Sequence, residues 1–481
     1  MTDMVSDDTV GAHTAGAHTA GRDVFARLER HGRRGYVWVA SDQGAVWAWR
    51  LALLAAVPIY YFVGRHQWFN RDDWAYVLTR EQMRASHGWD EWLFVPQDGH
   101  WLSASILVFK GTMDVFGLGS YWPFLLLALI SHTIAVVFAR LVCRRVGVSE
   151  WTTTLLAVLL LFFGSGWHNL TFAIQVCYSL SVLCFLGQLL LVDHDGPVDR
   201  RDVLGALIGL VTVSSSGFGP IFMAGVAVLL VLRRRWVALA VGVGPQALAY
   251  AWWTLAWNLE SESAVPPGVR TDVPAFVKSG VTGTFEAMVG FPAMAGVAIV
   301  VTVATMFGGP AWRSRRVTLA LGATVVVMFA GIGWQRVGLG VASADSSRYR
   351  DVAALVVAPA FGLAVDRARR LGPEFLTVAR LGLLVAVALN LGLLRSASQT
   401  FAAASRYEQR VFGLVLGSDQ LGTLDAQHIP VPNSPDVNVW ELPLLAAEGA
   451  ITPRQPVDAA EQATLDAALS TGAPTAPMPP P

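Results

Sequence analysis

The sequence predicts an all-α, polytopic membrane protein, and three observations support that fold class. First, the 481 residues are 54% hydrophobic and only 15% charged, with a mean hydropathy of +0.47. Soluble globular chains hold about 45–50% apolar and about 25% charged residues, so a soluble cytoplasmic enzyme is excluded. Second, apolar runs near the length that crosses a hydrocarbon core of about 30 Å recur along the chain. Third, arginines gather at the ends of alternate runs. Lys and Arg total 35 against 35 Asp and Glu and form no continuous basic stripe, which excludes a nucleic-acid-binding protein. Cys143, Cys177 and Cys184 lie in or beside apolar runs and read as packing residues, not as a disulfide framework or a zinc site.

Taken in order, about eleven spans are expected, at 46–64, 121–140, 151–166, 172–192, 203–215, 217–232, 236–257, 286–307, 317–334, 351–365 and 374–394. Arg22 to Arg34 precede the first, and clusters at Arg140 to Arg145, Arg200 and Arg201, Arg233 to Arg235, Arg313 to Arg316 and Arg367 to Arg370 follow the even-numbered ones. The positive-inside bias then puts the N-terminus inside and, with an odd number of spans, the C-terminus outside. Residues 1–45, with the repeat GAHTAGAHTAG, read as a disordered cytoplasmic tail in which His13 and His18 are solvated. Residues 46–395 form the transmembrane domain, 396–470 an outer segment with some helical pattern, and the Pro-rich 471–481 a disordered tail.

The outer side carries the unusual residues. The long first loop, 65–120, holds Trp68, Trp74, Trp89, Trp92 and Trp101, and Trp favours the headgroup level, so interfacial helices are expected there. Within it lies the pair Asp72-Asp73. A carboxylate in an aromatic-walled pocket at the membrane surface can act as general base toward a hydroxyl, two together can hold a divalent cation, and either can cap the helix starting near Trp74. Further along, Asp98 reads as the cap of the next helix or a second base, and His100 as a group that orients a carboxylate or binds phosphate. A later outer loop holds Arg336, Arg348 and Arg350, where the charge rule disfavours arginine. A guanidinium fork suits phosphate oxygens, and Tyr349 adds a hydroxyl beside it; headgroup snorkelling is the plainer reading. His168 and Asn169 in GSGWHNL reach the same face, and TVSSSGFGP at 212–220 reads as a tight outer hairpin or a broken, cavity-lining segment.

In order and on one side, NRDDW, QDGHWLSASILVFK, FGLGSYWPFLLLALISH and SSRYRDV resemble the GT-C class of integral-membrane glycosyltransferases, in particular its uncharacterised bacterial members, over residues 46–395. The resemblance implies a donor sugar on a polyprenyl phosphate and a glycan, lipid or protein acceptor in the cell envelope. It makes Asp72 or Asp73 the base and Arg348 with Tyr349 the holder of the donor phosphate. Some members of the class use a divalent metal at the acidic motif, which is the one cofactor the resemblance brings into view; Glu260, Glu262 and Glu286 are the other acids near the outer side. The competing function is a transporter or lipid flippase, suggested by the broken segment at Ser214 to Gly219 and by Arg50 in the first span. The scarcity of acids within the spans speaks against an ion-driven carrier.

Overall fold

A computed structural model describes residues 41–258, 267–308, 312–470 and 472–473. The N-terminal repeat with His13 and His18, the acids Glu260 and Glu262, and most of the Pro-rich C-terminal tail lie outside the described residues. The chain divides into two compact units, Met1–Leu54 and Ala55–Pro481. The described part of the first is Ser41 and the beginning of the helix Asp42–Gly64.

Among the described residues there are helices and turns but no strand, only a single isolated bridge between Gln97 and His100. Six helical segments are long and apolar enough to cross a membrane: Asp42–Gly64, Trp122–Val146, Glu150–Thr171, Ala173–Val192, Trp312–Leu339 and Pro373–Leu416. A seventh is added if Gly268–Val289 and Pro292–Gly308, bent by 106°, count as one. The protein is thus a multi-pass membrane protein.

Each of the eleven segments expected from the sequence contains helix, but fewer are spans by length and apolarity. Arg200–Val213 and Gly219–Leu232 are 14 residues each, about 21 Å at 1.5 Å per residue, short of the hydrocarbon thickness. They meet in the turn at 214–218. The expected span at 286–307 is broken where Gly290 takes φ +75°, a left-handed conformation that ends the helix Val273–Val289. The final span does not stop near 394: its helix continues without a break to Leu416, 44 residues in all. Beyond it, the chain turns back to the first loop.

That loop folds into short helices, Arg80–His87, Trp89–Phe94 and Ser103–Phe116. Trp89 is exposed, but Trp68, Trp74, Trp92 and Trp101 turn inward and are buried. Phe69 packs edge-on against Tyr121 and Phe124, and Trp74 lies against Trp68 and Phe412. Aromatic side chains bury large areas and prefer such edge-to-face contacts, so this cluster fixes the loop to the helices below it.

Candidate functional site

Arg71 has φ 47°, a left-handed conformation that costs a non-glycine residue about 1–2 kcal/mol. The surrounding structure holds it there: the Arg71 amide donates to Ser434 Oγ at 2.9 Å, and Ser434 Oγ donates to Glu408 Oε2 at 2.7 Å. The turn separates the two neighbouring acids. Asp73 points inward and is fully buried, accepting from Tyr121 Oη at 2.9 Å, the Ile174 amide at 3.0 Å and the Asn70 amide at 3.3 Å. Tyr121 Oη in turn accepts from the Ala173 amide at 2.7 Å. Burial raises the Asp73 carboxyl well above the usual carboxylate range, against the opposing pull of these donors. Asp73 therefore ties the loop to the start of Trp122–Val146 and to the turn before Val176–Val192.

Asp72 is exposed and has no hydrogen-bonded partner for its carboxylate among the described residues. Its pKa is raised by the crowding of protein around it; Arg348 opposes that rise, Asp98 adds to it, Arg71 opposes it and Asp436 adds to it. Neither acid caps the following helix, whose first residues have no side-chain cap. They lead instead into a π-helical turn, Ala75–Thr79, a rare geometry found frequently at functional sites.

Asp98 also differs from the expected helix cap. The helix Ser103–Phe116 has no side-chain cap, and Asp98 and Gly99 have φ 50° and 74°, the positive values of a primed β-turn. Gln97 and His100 close it with paired backbone bonds of 3.1 and 2.9 Å. The turn delivers His100 against Gly217, where a Cβ would lie 2.6 Å from the imidazole, so only glycine fits without displacement. Ser105 Oγ donates to Ser215 O at 2.8 Å and the Ala104 amide to Ser214 O at 2.9 Å. The serine-rich 214–218 turn is thus the wall on which the first loop docks.

His100, Tyr178, Gly217, Phe218, Arg336 and Tyr349 surround a cavity of about 140 Å³. Burial lowers the His100 pKa to about 4, helped by Arg336 and Arg348 and opposed by Asp98; the ring is neutral at pH 7. Arg336 and Arg348 make no ion pair among the described residues, and Arg348 Nε is buried without a hydrogen-bond partner. Arg348 lies over the Tyr349 ring at 5.3 Å. Its charge acts on both Asp72 and His100. Arg350 turns elsewhere, to Asp345 at 3.3 Å.

The sequence reading missed what holds Arg348. Asn169 Nδ2 donates to Arg348 O at 3.2 Å and to Asp351 Oδ2 at 2.8 Å, and the same oxygen lies 3.5 Å from His132 Nδ1. His132 and Asp351 are buried, so the helical core does contain a buried acid. Gly166 allows the approach, since a Cβ there would lie 2.6 Å from the Asp351 Cβ. The spacing of His132, Asn169 and Asp351 in sequence carries no sign of this triad; a carboxylate one turn after Arg348 was the available hint. His168, expected near the pocket, stacks on Trp167 at 4.1 Å.

Among the described residues, the group of His, Cys, Asp and Glu atoms close enough to share a cation is His194, Asp199 and Asp202. It follows the far end of the helix that begins beside Asp73, about 25 Å away by helical rise. Arg235 lies 3.0 Å from both Asp202 oxygens and 3.2 Å from His194 Nε2, so a guanidinium supplies the positive charge there. Glu286, considered as a second acid for a metal, belongs to no such group among the described residues.

No family model matches the sequence, and no curated protein matches it. Among solved structures, the chain is similar to ArnT from Cupriavidus metallidurans bound to undecaprenyl phosphate, a GT-C glycosyltransferase, with TM-score 0.50, 13% identity and 86% of each chain covered. The apo state of the same protein gives TM-score 0.51 at the same identity and coverage. The Archaeoglobus fulgidus oligosaccharyltransferase in complex with Zn and sulfate is more distant, at TM-score 0.45 and 14% identity over 85% of this chain and 62% of that one. The ArnT likeness shows the fold: this chain has an ArnT-like membrane architecture.

Proposed function

We propose that the protein is an integral-membrane glycosyltransferase that moves a sugar from a polyprenyl-phosphate donor to an acceptor in the cell envelope, on the extracytoplasmic face. The observation that carries the reading is an open carboxylate, Asp72, within the field of an arginine that makes no ion pair among the described residues, Arg348, together with a cavity lined by Arg336, Tyr349 and a neutral His100. The fold is that of a protein whose structure holds undecaprenyl phosphate, and the outer placement rests on the arginine distribution.

In this reading, Asp72 takes the proton of the acceptor hydroxyl while that oxygen attacks the anomeric carbon. The bond from that carbon to the phosphate oxygen breaks, and polyprenyl phosphate leaves with its electron pair. The transition state is oxocarbenium-like, and the charge growing on the leaving phosphate is stabilised by Arg348, with Arg336 and the Tyr349 hydroxyl beside it. Direct displacement inverts the anomeric centre. Asp73 holds the loop and does not touch the reactants. Among the described residues Asp72 belongs to no group of three His, Cys, Asp or Glu side chains close enough to share a cation, so no step is assigned to a metal.

The test is binding of undecaprenyl phosphate to purified protein. A charged hydrogen bond contributes about 1.5–3 kcal/mol, so Arg348→Ala is expected to weaken binding by about ten- to a hundredfold, with a smaller loss for Tyr349→Phe. Equal affinity for wild type and Arg348→Ala would remove Arg348 from the site.

A further inference from the structure

The long helix Pro373–Leu416 carries a second cationic surface, separate from Asp72 and Arg348. At one level, a cavity of about 420 Å³ has apolar walls, including Ile59, Phe62, Leu391 and Leu394, and a rim bearing Arg65 and Arg395. Arg65 lies over the Phe62 ring at 4.6 Å. Further along, a cavity of about 310 Å³ is lined by Arg406, Gln409, Arg410, Thr452 and Arg454.

The two cavities open on one face of one helix. Arg395 and Arg406 are eleven residues apart, just over three full turns, so they project in nearly the same direction with a rise of about 16 Å between them. The Arg406 guanidinium leans back toward the first cavity, its Nε donating to Ala402 O at 3.2 Å, as side chains tilted toward a helix N-terminus do. The first cavity adjoins the stem of the Asp72 loop, where Gln67 Nε2 donates to Ser398 O at 3.0 Å.

Five arginines face this track and one carboxylate answers them. Glu461 lies 3.6 Å from Arg410 and 3.7 Å from Arg454; Arg65, Arg395 and Arg406 have no ion pair among the described residues. An apolar groove rimmed by two unpaired guanidinia suits a lipid tail and its phosphate, and the polar cavity beyond it suits further anionic groups on the same headgroup.

We propose that this face binds a phosphate-bearing anionic lipid, its chain along Ile59, Phe62, Leu391 and Leu394, its phosphate at Arg65 and Arg395, and the anionic groups of an extended head at Arg406, Arg410 and Arg454. The site does not depend on the sugar-transfer reading, and its test requires no turnover.

Full-length protein is placed in phosphatidylcholine nanodiscs containing 10% phosphatidylglycerol, and retained lipids are counted by native mass spectrometry; binding of soluble tripolyphosphate to the same discs made without phosphatidylglycerol is measured in parallel. Each arginine near a lipid surface contributes about 1 kcal/mol, so Arg65→Gln with Arg395→Gln is expected to cut phosphatidylglycerol retention at least tenfold while tripolyphosphate affinity holds. Arg406→Gln with Arg410→Gln and Arg454→Gln is expected to do the reverse. The Lys versions of both sets should recover most of the binding, which a merely misfolded variant would not. Phosphatidylglycerol retained no better than phosphatidylcholine, or tripolyphosphate binding unchanged by the second set, would overturn the proposal.

Discussion

Two adjacent aspartates that look interchangeable in sequence face opposite environments because one arginine between Asn70 and Asp72 adopts a left-handed turn. The consequence is a clean division of effects. Asp72→Asn should abolish transfer and leave thermal unfolding unchanged, because the Asp72 side chain holds nothing in place. Asp73→Asn should lower the unfolding midpoint, because an amide cannot accept from all three donors that reach Asp73, and each orphaned buried donor costs about 1–3 kcal/mol.

The pH dependence follows from the charges around Asp72. Crowding raises its pKa, and activity should fall as pH drops through that raised value. Arg348 opposes the rise; Arg348→Gln should move the acid limb of kcat/KM to higher pH as well as lower its height. Asp98 adds to the rise, so Asp98→Asn should move the limb to lower pH. A limb that stays in place in both variants would show that another group titrates. His100 has the opposite sign of linkage. Its folded pKa, about 4, lies below the unfolded value near 6.5, so the unfolded chain binds the extra proton first. Stability is intact above about pH 6.5 and is lost as pH falls toward 4, and His100→Gln should flatten that part of the stability profile.

Among elements, the serine-rich turn between the short helices Arg200–Val213 and Gly219–Leu232 positions most. Gly217 has no side chain because the His100 ring occupies that space. Gly217→Ala is expected to push His100 away from Arg336 and reduce kcat/KM about ten- to a hundredfold, the scale of a 1 Å displacement, with little change in the unfolding midpoint. A wild-type rate would mean that His100 has no part in positioning. The C-terminal segment acts similarly through Ser434, which links the Arg71 amide to Glu408. Its contribution was hidden in the sequence because the chain from Leu416 to Ser434 has no strong periodicity. Only the fold brings residue 434 to residue 71.

For the whole molecule, composition and apolar runs were enough to identify an all-helical membrane chain, and the placement of Arg348 outside the arginine clusters made it conspicuous. The division of labour within Asp72-Asp73 was not legible, since it depends on one φ angle. Nor were His132, Asn169 and Asp351, which lie on three different helices and meet only when Gly166 lets two of them approach. The inward turn of Trp68, Trp74, Trp92 and Trp101 escaped for a related reason: amphipathic aromatic residues suit both a headgroup layer and a packed protein interior. The proposed orientation makes its own prediction. In a chain lacking Cys143, Cys177 and Cys184, a cysteine at Ser418 should react with a membrane-impermeant maleimide on intact cells, and one at Gly196 only after the membrane is opened; the reverse pattern would invert the topology.

The central claim is that Asp72 is the base of a sugar transfer from a lipid phosphate. It is tested most directly by supplying purified protein with radiolabelled polyprenyl-phosphate sugars and envelope acceptors, and measuring label transferred by wild type and by Asp72→Asn that unfolds at the same temperature. The account predicts transfer by the wild type and a loss of at least a thousandfold in the variant, within the range that general-base catalysis supplies, about 10²–10⁴. Transfer by Asp72→Asn at the wild-type rate would contradict it.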